Sequence, residues 1–192
     1  MGYKYNKEDI LKVGYDILRK NGYHHVGINQ ILKESWLPKG SFYNFFESKE
    51  DFAYQVITYY GESNLKWLEE FFAQKKSPYQ LVKSFYKVMI DENEADAYAS
   101  GCLISNMSNE IGMLNDRLAE VSNEYFLRWV GVIAQAIEKG QEAGEITTQY
   151  HAMELAEYLH AGFYGTFSRM KVTRSREFMD QWYRMTMDFI ST

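Results

Sequence analysis

Among its 192 residues, the chain has one cysteine, two prolines and no long hydrophobic run. The single cysteine, Cys102, excludes an intrachain disulfide and fits a reducing compartment. The most apolar longer segment, residues 129–137, is much shorter than the roughly 20 apolar residues that cross a bilayer. The first residues contain no apolar stretch of the kind found in signal peptides. We therefore expect a cytoplasmic protein that does not contact a membrane.

The sequence also lacks the patterns of common enzymes. It contains no glycine-rich phosphate loop, and its four histidines do not converge. His151 and His160 are nine residues apart, which places them on opposite sides of one predicted helix, and Glu157-x-x-His160 is a single copy of a di-iron motif that needs two. We expect no enzymatic activity, no cofactor and no metal site.

What the sequence does contain is helical periodicity. Prolines occur only at positions 38 and 78, and apolar residues recur at steps of three and four along most of the chain. The content of 46% hydrophobic residues is enough to bury a core. We expect an all-α fold of about nine helices, in which the acidic run at 91–96 is a solvated connector and residues 100–113 form a short helical segment.

One short segment, from Pro38 to Glu50, carries the most information about function. Pro38 suits the first position of a helix, because its φ is already helical and its missing N–H would have no partner. Helical spacing then gathers Phe42, Phe45 and Phe46 on one face and leaves the other faces polar. The segment predicts a short helix that packs on one side and can touch a partner on the other.

The flanking sequence completes a helix-turn-helix arrangement. Asn6 can cap a first helix that ends at residues 21–22, and apolar residues at 28, 31 and 32 mark a second, short helix. Residues 35–37 leave a three-residue turn before Pro38, and Ser48 can cap a long helix that begins near Lys49. This spacing is typical of helix-turn-helix DNA-binding motifs.

The stretch GYHHVGINQILKESWLPKGSFYNFFESKEDF, residues 22–52, resembles the DNA-binding half of the TetR family of bacterial transcriptional regulators. The resemblance covers roughly residues 7–60. It implies a dimeric transcriptional repressor that binds a palindromic operator in double-stranded DNA. It implies a DNA-binding domain over residues 1–50 and a helical effector-binding and dimerisation domain over residues 51–192. The matching positions, in order, are Gly22, Ile28, Ile31, Lys39, Gly40, Ser41, Tyr43, Phe46, Lys49 and Glu50.

The resemblance also implies which residues meet DNA. Tyr43 and Lys49 match positions that usually touch phosphates. The positions that lie at the groove match Lys39, Gly40, Ser41 and Asn44. The expected DNA-binding residues are Gly27, Asn29, Lys39, Gly40, Ser41, Tyr43, Asn44 and Lys49.

One residue departs from the family pattern. Trp36 stands in the turn where the family usually has glycine, and a non-glycine residue in a left-handed conformation costs about 1 kcal/mol. One interpretation makes Trp36 an extra contact with DNA or a partner. The other places its ring on the outside of the second helix or against the first.

The charge distribution is compatible with DNA binding. The net charge is −5, but residues 1–50 contain eight Lys and Arg against six Asp and Glu, whereas residues 51–192 contain thirteen against twenty. Because phosphate neutralisation supplies most non-specific affinity, we expect binding to depend on a few cations and on salt.

In the C-terminal part, the resemblance implies that the last two helices form the dimer interface. The small residues near 161–165 suit close helix packing, although a monomer core gives the same pattern. The chain is rich enough in aromatic residues and methionine to line a pocket for a small apolar effector as well as to fill a core. The candidates are Phe85, Met89, Met107, Trp129, Phe163 and Phe167.

Cys102 is a further candidate, as a sensor of electrophiles or oxidants. The segments SGCLISNMSNEI and KVTRS resemble the TetR branch that includes the repressor of N-ethylmaleimide reductase, and Lys171 matches a lysine of that branch. A thiolate reacts when a nearby cation or helix N-terminus lowers its pKa, and Cys102 is expected in the first turn of its helix. The alternative is a buried cysteine that acts as a small apolar side chain.

Two functions from different classes therefore remain. The first is a repressor that a small ligand or electrophile releases from DNA. The second is a helical ligand-binding or interaction protein that has lost DNA binding, which Trp36 and the acidic balance favour.

Overall fold

The computed structural model describes residues 6–96 and 101–192, and in these ranges the chain forms nine α-helices. One antiparallel β-bridge joins Ile146 to Ser191. The expected all-α fold is confirmed. In chain order the helices are α1 (Lys7–Asn21), α2 (Ile28–Glu34), α3 (Lys39–Phe42), α4 (Lys49–Phe72), α5 (Pro78–Ala95), α6 (Leu103–Ile111), α7 (Asp116–Glu142), α8 (Ala152–Thr173) and α9 (Glu177–Ile190).

The helices group into two compact units. The first unit contains residues 6–64 and 101–125, and the second contains residues 65–96 and 126–192. Helices α4 and α7 each contribute their N-terminal part to the first unit and their C-terminal part to the second. In the first unit α6 packs with α1, although the two helices are far apart in the sequence.

The first unit is built on buried aromatic rings. The ring centroids of Phe42 and Phe46 are 5.2 Å apart, and Phe52 of α4 lies 5.0 Å from Phe46, with all three side chains almost fully buried. Such offset and tilted pairs add to the hydrophobic stabilisation of their burial. Because a four-residue helix has no stability of its own, this cluster is what holds α3 in place.

Local capping follows the sequence closely in the first unit. The Asn6 side chain accepts a hydrogen bond from the Glu8 N–H at 3.1 Å, and Gly22 ends α1 with φ of 77°. The Ser48 hydroxyl accepts from the Asp51 N–H at 3.0 Å, which caps α4 as expected. The predicted starts of α1 and α4 are confirmed.

The predicted start and length of α3 are wrong by small amounts. Pro38 is the N-cap residue, with ψ of 143°, and the helix begins at Lys39. Phe42 and Phe46 are buried, but Phe45 lies in the turn after the helix and is only half-buried. The aromatic face thus continues past the helix into the turn that leads to α4.

The second unit has a core drawn from α4, α5, α7, α8 and α9. Trp182 of α9 packs against Tyr86 of α5 and Phe163 of α8, with ring centroids 5.1 and 5.6 Å away. Gly162 leaves room for this indole, because a Cβ there would lie 2.5 Å from Nε1 of Trp182. The close pairing of α8 with α9 therefore depends on a small residue at this position.

The acidic run at 91–96 is not a connector. Residues 91–95 form the last turns of α5, and Asp96 is its C-cap. Acidic residues at a helix C-terminus are unfavourable to the helix dipole. Arg176 offsets them, because its guanidinium donates to Asp91 at 3.1 Å and also bonds Glu94. The predicted segment 100–113 contains α6, and its residue 100 lies outside the described residues.

Gly61 and Gly131 offer a test of packing on two long helices. A Cβ on Gly61 would lie 2.3 Å from Cδ1 of Tyr125, whereas a Cβ on Gly131 would meet nothing within 4 Å. We expect Gly61→Ala to destabilise the protein by about 1–3 kcal/mol through overpacking, although alanine is the better helix former. Gly131→Ala should be neutral or stabilising by up to about 1 kcal/mol. Urea unfolding measures both, and equal midpoints would contradict the expected clash at Tyr125.

Candidate nucleic-acid interface

The turn between α2 and α3 is held by its neighbours while its central residue is exposed. The Ser35 hydroxyl donates to the Ile31 carbonyl at 2.6 Å, and the Leu37 side chain is buried. Between them, Trp36 has φ of 54°, so the left-handed conformation expected from the family's glycine is retained. Because Trp36 is 87% exposed, neither α1 nor α2 packs against its ring. The strain of about 1 kcal/mol is therefore not offset by burial.

The face of α3 opposite its buried rings is polar and open. Lys39, Gly40, Tyr43 and Asn44 are exposed, and Ser41 is half-buried. The Tyr43 side chain keeps 52% of its surface exposed while its ring edge packs on Phe42 at 5.4 Å. The structure thus brings these five predicted DNA-binding residues onto one short, firmly packed element.

Two further predicted residues lie at the start of α2. Gly27 is the N-cap, with φ of −93° and no side chain to bond the first turn, and Asn29 is exposed in that turn. The Gly27 carbonyl accepts from the N–H groups of Gln30 and Ile31 at 3.0 and 3.2 Å. Gly27 and Asn29 are thus both on the surface, at the end of α2 that is remote in sequence from the turn before α3.

Lys49 is more enclosed than its expected role suggests. Its Nζ lies 4.2 Å from the ring centroid of Tyr23, and the side chain is half-buried. Burial lowers the pKa of Lys49, and the nearby Glu110 carboxylate acts in the opposite direction. A phosphate contact by Lys49 stays a prediction.

A set of polar contacts between α1 and α6 escaped sequence reasoning. The Glu110 carboxylate accepts hydrogen bonds from the N–H groups of Tyr23 and His24, at 2.7 and 2.6 Å. The Asn106 amide donates to the Arg19 carbonyl at 3.2 Å, and Arg19 Nε donates to the Gly101 carbonyl at 2.6 Å. Asn106 and Glu110 are four residues apart, so they share one face of α6. This face bonds the C-terminal end of α1 and the residues just after it.

The start of α4 is fixed in a similar way. Burial raises the pKa of Asp51, but hydrogen bonds from the Glu47 N–H, the Gln55 amide and the Arg117 guanidinium outweigh it and hold the pKa below its usual value. The Arg117 bond to Asp51 measures 3.1 Å and joins α7 to α4 within the first unit. The helix that follows α3 is therefore anchored by a charged group as well as by rings.

Cys102 is the N-cap of α6 and is half-buried. The Tyr60 hydroxyl lies 4.0 Å from Sγ as a donor, and its ring stacks on Tyr15 at 4.8 Å. Burial raises the pKa of Tyr60 well above its usual value, which keeps its proton in place. The residue before Cys102 is Gly101, and the Gly101 carbonyl accepts the hydrogen bond from Arg19 Nε.

The predicted effector residues fall into both units. Cys102 and Met107 belong to the first unit, and the other candidates belong to the second. The ring centroids of Phe85 and Trp129 are 6.1 Å apart, and those of Phe163 and Phe167 are 6.0 Å apart. Lys171 Nζ lies 5.4 Å from the ring centroid of Phe167. Met89, the remaining candidate, is half-buried and packs on the same core.

The second unit also contains a cavity that the sequence did not indicate. Its volume is about 300 Å³, within the size range of small-molecule sites. It contains none of the predicted effector residues. Its lining residues are Glu69, Phe72, Ala73, Pro78, Leu81, Val132, Gln135, Ala136 and Lys139.

The histidines are placed differently from the sequence prediction. His151 is the N-cap of α8 and lies outside the helix that contains His160, so the two are not on opposite sides of one helix. Burial lowers the pKa of His160 to about 4, and its ring packs on Phe126 and Tyr164. Within residues 6–96 and 101–192, no group of three or more His, Cys, Asp or Glu could hold a metal ion. No helix in the same ranges has the length and apolar character to cross a membrane.

The geometry defines a class of protein: a helix-turn-helix protein whose short helix α3 and the turn after it expose polar residues. Residues 10–56 match the family model of bacterial regulatory proteins of the tetR family, and residues 78–186 match the tetracyclin repressor-like C-terminal domain. The second match spans more than half of the chain. The chain belongs to the TetR family, and it is a DNA-binding transcriptional regulator.

Relatives and solved structures agree with this assignment. The repressor DhaR of Mycobacterium sp. (strain GP1) is 28% identical, over 95% of this chain and 90% of its own. The repressor NemR of Escherichia coli K12 is 24% identical, over 97% of this chain and 94% of its own. The crystal structure of a TetR regulatory protein from Rhodobacter sphaeroides has a TM-score of 0.88 and 26% identity, over 95% of this chain and 97% of that one. The relatives are named as transcriptional regulators, which indicates a non-enzymatic role.

Glu110 provides a test of the bond between α6 and α1. Glu110→Ala removes the acceptor of two charge-assisted hydrogen bonds, from the N–H groups of Tyr23 and His24. We expect a loss of about 1–2 kcal/mol in the free energy of unfolding, measured with urea. Glu120→Ala, which removes an exposed carboxylate from α7, is the matched control and should change stability by less than about 0.5 kcal/mol. Similar midpoints for the two variants would show that Glu110 does not hold α1.

Proposed function

We propose that this protein is a cytoplasmic homodimeric repressor that binds a palindromic operator and leaves it when a small apolar or electrophilic effector binds. DNA binding is assigned to residues 1–50, and effector binding and dimerisation to residues 51–192. Two copies of α3 enter successive major grooves, about 34–36 Å apart. An effector that changes this separation prevents both half-sites from being reached at once.

The exposed face of α3 is the observation that carries the proposal. Lys39 in α3, and Tyr43 and Asn44 in the turn after it, are exposed, while Phe42 and Phe46 of the same short segment are buried. A rigid base with free polar groups suits recognition of base edges, because the side chains need little ordering on binding. Lysine can bind guanine at its O6 and N7, and asparagine can bind adenine at its N6 and N7.

Support for a dimer comes from the last two helices. Tyr158 and Met185 are 56% and 60% exposed, and Phe189 is 44% exposed with its ring 5.9 Å from Tyr158. Large apolar side chains that remain exposed side by side are typical of surfaces that bind another protein. A second copy of the α8 and α9 pair would cover them in a four-helix interface, as the TetR resemblance implies.

Support for an effector site comes from the second unit. Its aromatic residues, including Phe85 and Trp129, provide apolar surface, and a separate cavity of about 300 Å³ has a volume that suits a small ligand. Glu69, Gln135 and Lys139 add polar groups at the cavity. These groups suit a ligand that is mostly apolar and carries a few hydrogen-bonding atoms.

Cys102 supports an electrophile as effector. Its thiolate sulfur can add to the carbon–carbon double bond of an unsaturated carbonyl compound: a C–S bond forms, the π bond breaks, and the resulting enolate takes a proton from water. Cys102 is followed by α6, whose Asn106 and Glu110 bond α1. A bulky adduct at the start of α6 would therefore act on contacts that hold a helix of the DNA-binding segment.

Selection from a random duplex pool tests DNA binding. The purified protein is incubated with the pool under reducing conditions, and the retained DNA is sequenced. Enrichment of a palindrome supports a dimeric regulator. If no sequence is enriched, the alternative of a helical interaction protein without DNA binding is favoured.

Substitution of Lys39 tests whether this residue contacts the DNA groove. We expect Lys39→Ala to lose about 1–3 kcal/mol of the preference for the selected duplex over a scrambled one, because its contact is with the groove. Fluorescence anisotropy at fixed salt measures this preference. Lys66→Ala removes the same charge from an exposed position on α4 and serves as the control. Equal losses in the two variants would contradict a groove contact by Lys39.

Cys102 tests the mode of release. Cys102→Ser should bind the selected duplex as the wild type does, since Cys102 lies outside the proposed DNA surface. Addition of N-ethylmaleimide should release the wild type from DNA and leave the variant bound, because the hydroxyl does not react as a thiolate does. Release of both proteins at the same rate would end the sensor hypothesis.

A further inference from the structure

Trp36 combines two features that are rarely found together. It is one of two non-glycine residues with positive φ in the described chain, and its side chain is 87% exposed. The other such residue, Arg174, ends α8 in the left-handed conformation that often terminates helices. Trp36 lies one residue beyond the C-cap of α2 and two before the N-cap of α3.

Nothing in the described residues offsets the strain at this position. The Trp36 backbone N–H bonds the Lys33 carbonyl at 3.3 Å, but its indole makes no hydrogen bond and no ring contact with residues 6–96 or 101–192. A glycine would adopt the same φ without the steric cost. The side chain therefore contributes nothing to the folded chain that a glycine would lack, which favours a role in binding.

The surroundings of Trp36 indicate what it binds. Its neighbours in the chain, Ser35 and Leu37, are polar and buried respectively, so neither adds a large exposed apolar side chain of the kind that protein partners cover. The segment of residues 27–46 carries Lys33 and Lys39 against one acid, Glu34, and both lysines are exposed. An isolated aromatic ring in a weakly cationic setting suits a polyanion better than an apolar protein surface.

We propose that Trp36 contacts the sugar–phosphate backbone of the operator beside the groove that α3 enters. The indole Nε1–H is only a donor and phosphate oxygens are acceptors, so the two are complementary. In helix-turn-helix proteins the first residues of the recognition helix reach the bases, which leaves the preceding turn at the edge of the groove. The ring then covers a deoxyribose while its N–H bonds the phosphate. This inference rests on the proposed DNA binding.

The proposal predicts opposite effects of one substitution on stability and on binding. Trp36→Gly removes the strain, so its thermal unfolding midpoint should be unchanged or about 2 °C higher. Its affinity for the selected duplex should fall about tenfold, through loss of a hydrogen bond to a charged group and of the ring contact. Because the indole is neutral, the dependence of affinity on salt should keep its slope.

The experiment measures duplex affinity by anisotropy and unfolding by calorimetry for the wild type, Trp36→Gly and Trp36→Phe. The phenylalanine variant keeps a ring and loses the N–H, so an intermediate affinity supports the assigned hydrogen bond. Met113→Ala, which truncates another exposed apolar side chain of the first unit, should bind as the wild type does. Arg174→Gly is the control for strain, since it should also unfold at an unchanged or higher temperature.

Two outcomes would overturn the inference while the proposed function stands. If Trp36→Gly binds the duplex as tightly as the wild type, the ring does not contact DNA. A contact between the exposed ring and a protein partner would then be favoured. If it binds weakly but also unfolds at a lower temperature, Trp36 stabilises the turn and its effect on DNA is indirect. A wild-type protein that retains no duplex at all would instead remove the proposed function, and this inference with it.

Discussion

The placement of α3 depends on the packing of Phe42 and Phe46 against Phe52. A helix of four residues cannot form alone, because nucleation fixes several residues for one hydrogen bond. Burial of these rings supplies the free energy that the short helix lacks, and it orients the helix at the same time. The open polar face that is proposed to bind DNA is therefore a consequence of what is buried beneath it.

The contacts of α6 join it to α1 and to the residues just after α1 within the first unit. Asn106 and Glu110 bond backbone groups at the end of α1, and α6 begins at Cys102, the residue proposed to sense electrophiles. Hydrogen bonds to a charged carboxylate are stronger than those between neutral groups, so a displacement of α6 is costly unless α1 follows it. In the proposed release mechanism, these bonds would connect a change at Cys102 to the position of α1.

The turn before α3 shows a different balance. Trp36 adopts a conformation that favours glycine, yet its side chain is almost entirely in solvent. Backbone strain that no packing contact offsets is found at sites where the residue contributes to binding. In the proposed binding mode, stability of the free protein and affinity for DNA are separate properties of this one position.

The local order of the chain was determined by the sequence: helical periodicity, the caps at Asn6, Gly22 and Ser48, and a three-residue turn ahead of Pro38 suffice to predict a helix-turn-helix protein. These signals are local, because capping and periodicity act within a few residues. The TetR type was added by the resemblance of residues 22–52 to that family. Only the tertiary structure decided that residues 91–95 remain helical, where Arg176 bonds Asp91 from 85 residues away. It alone also placed α6 on α1 and left Trp36 in solvent, since such contacts join residues far apart in sequence and depend on how the helices pack.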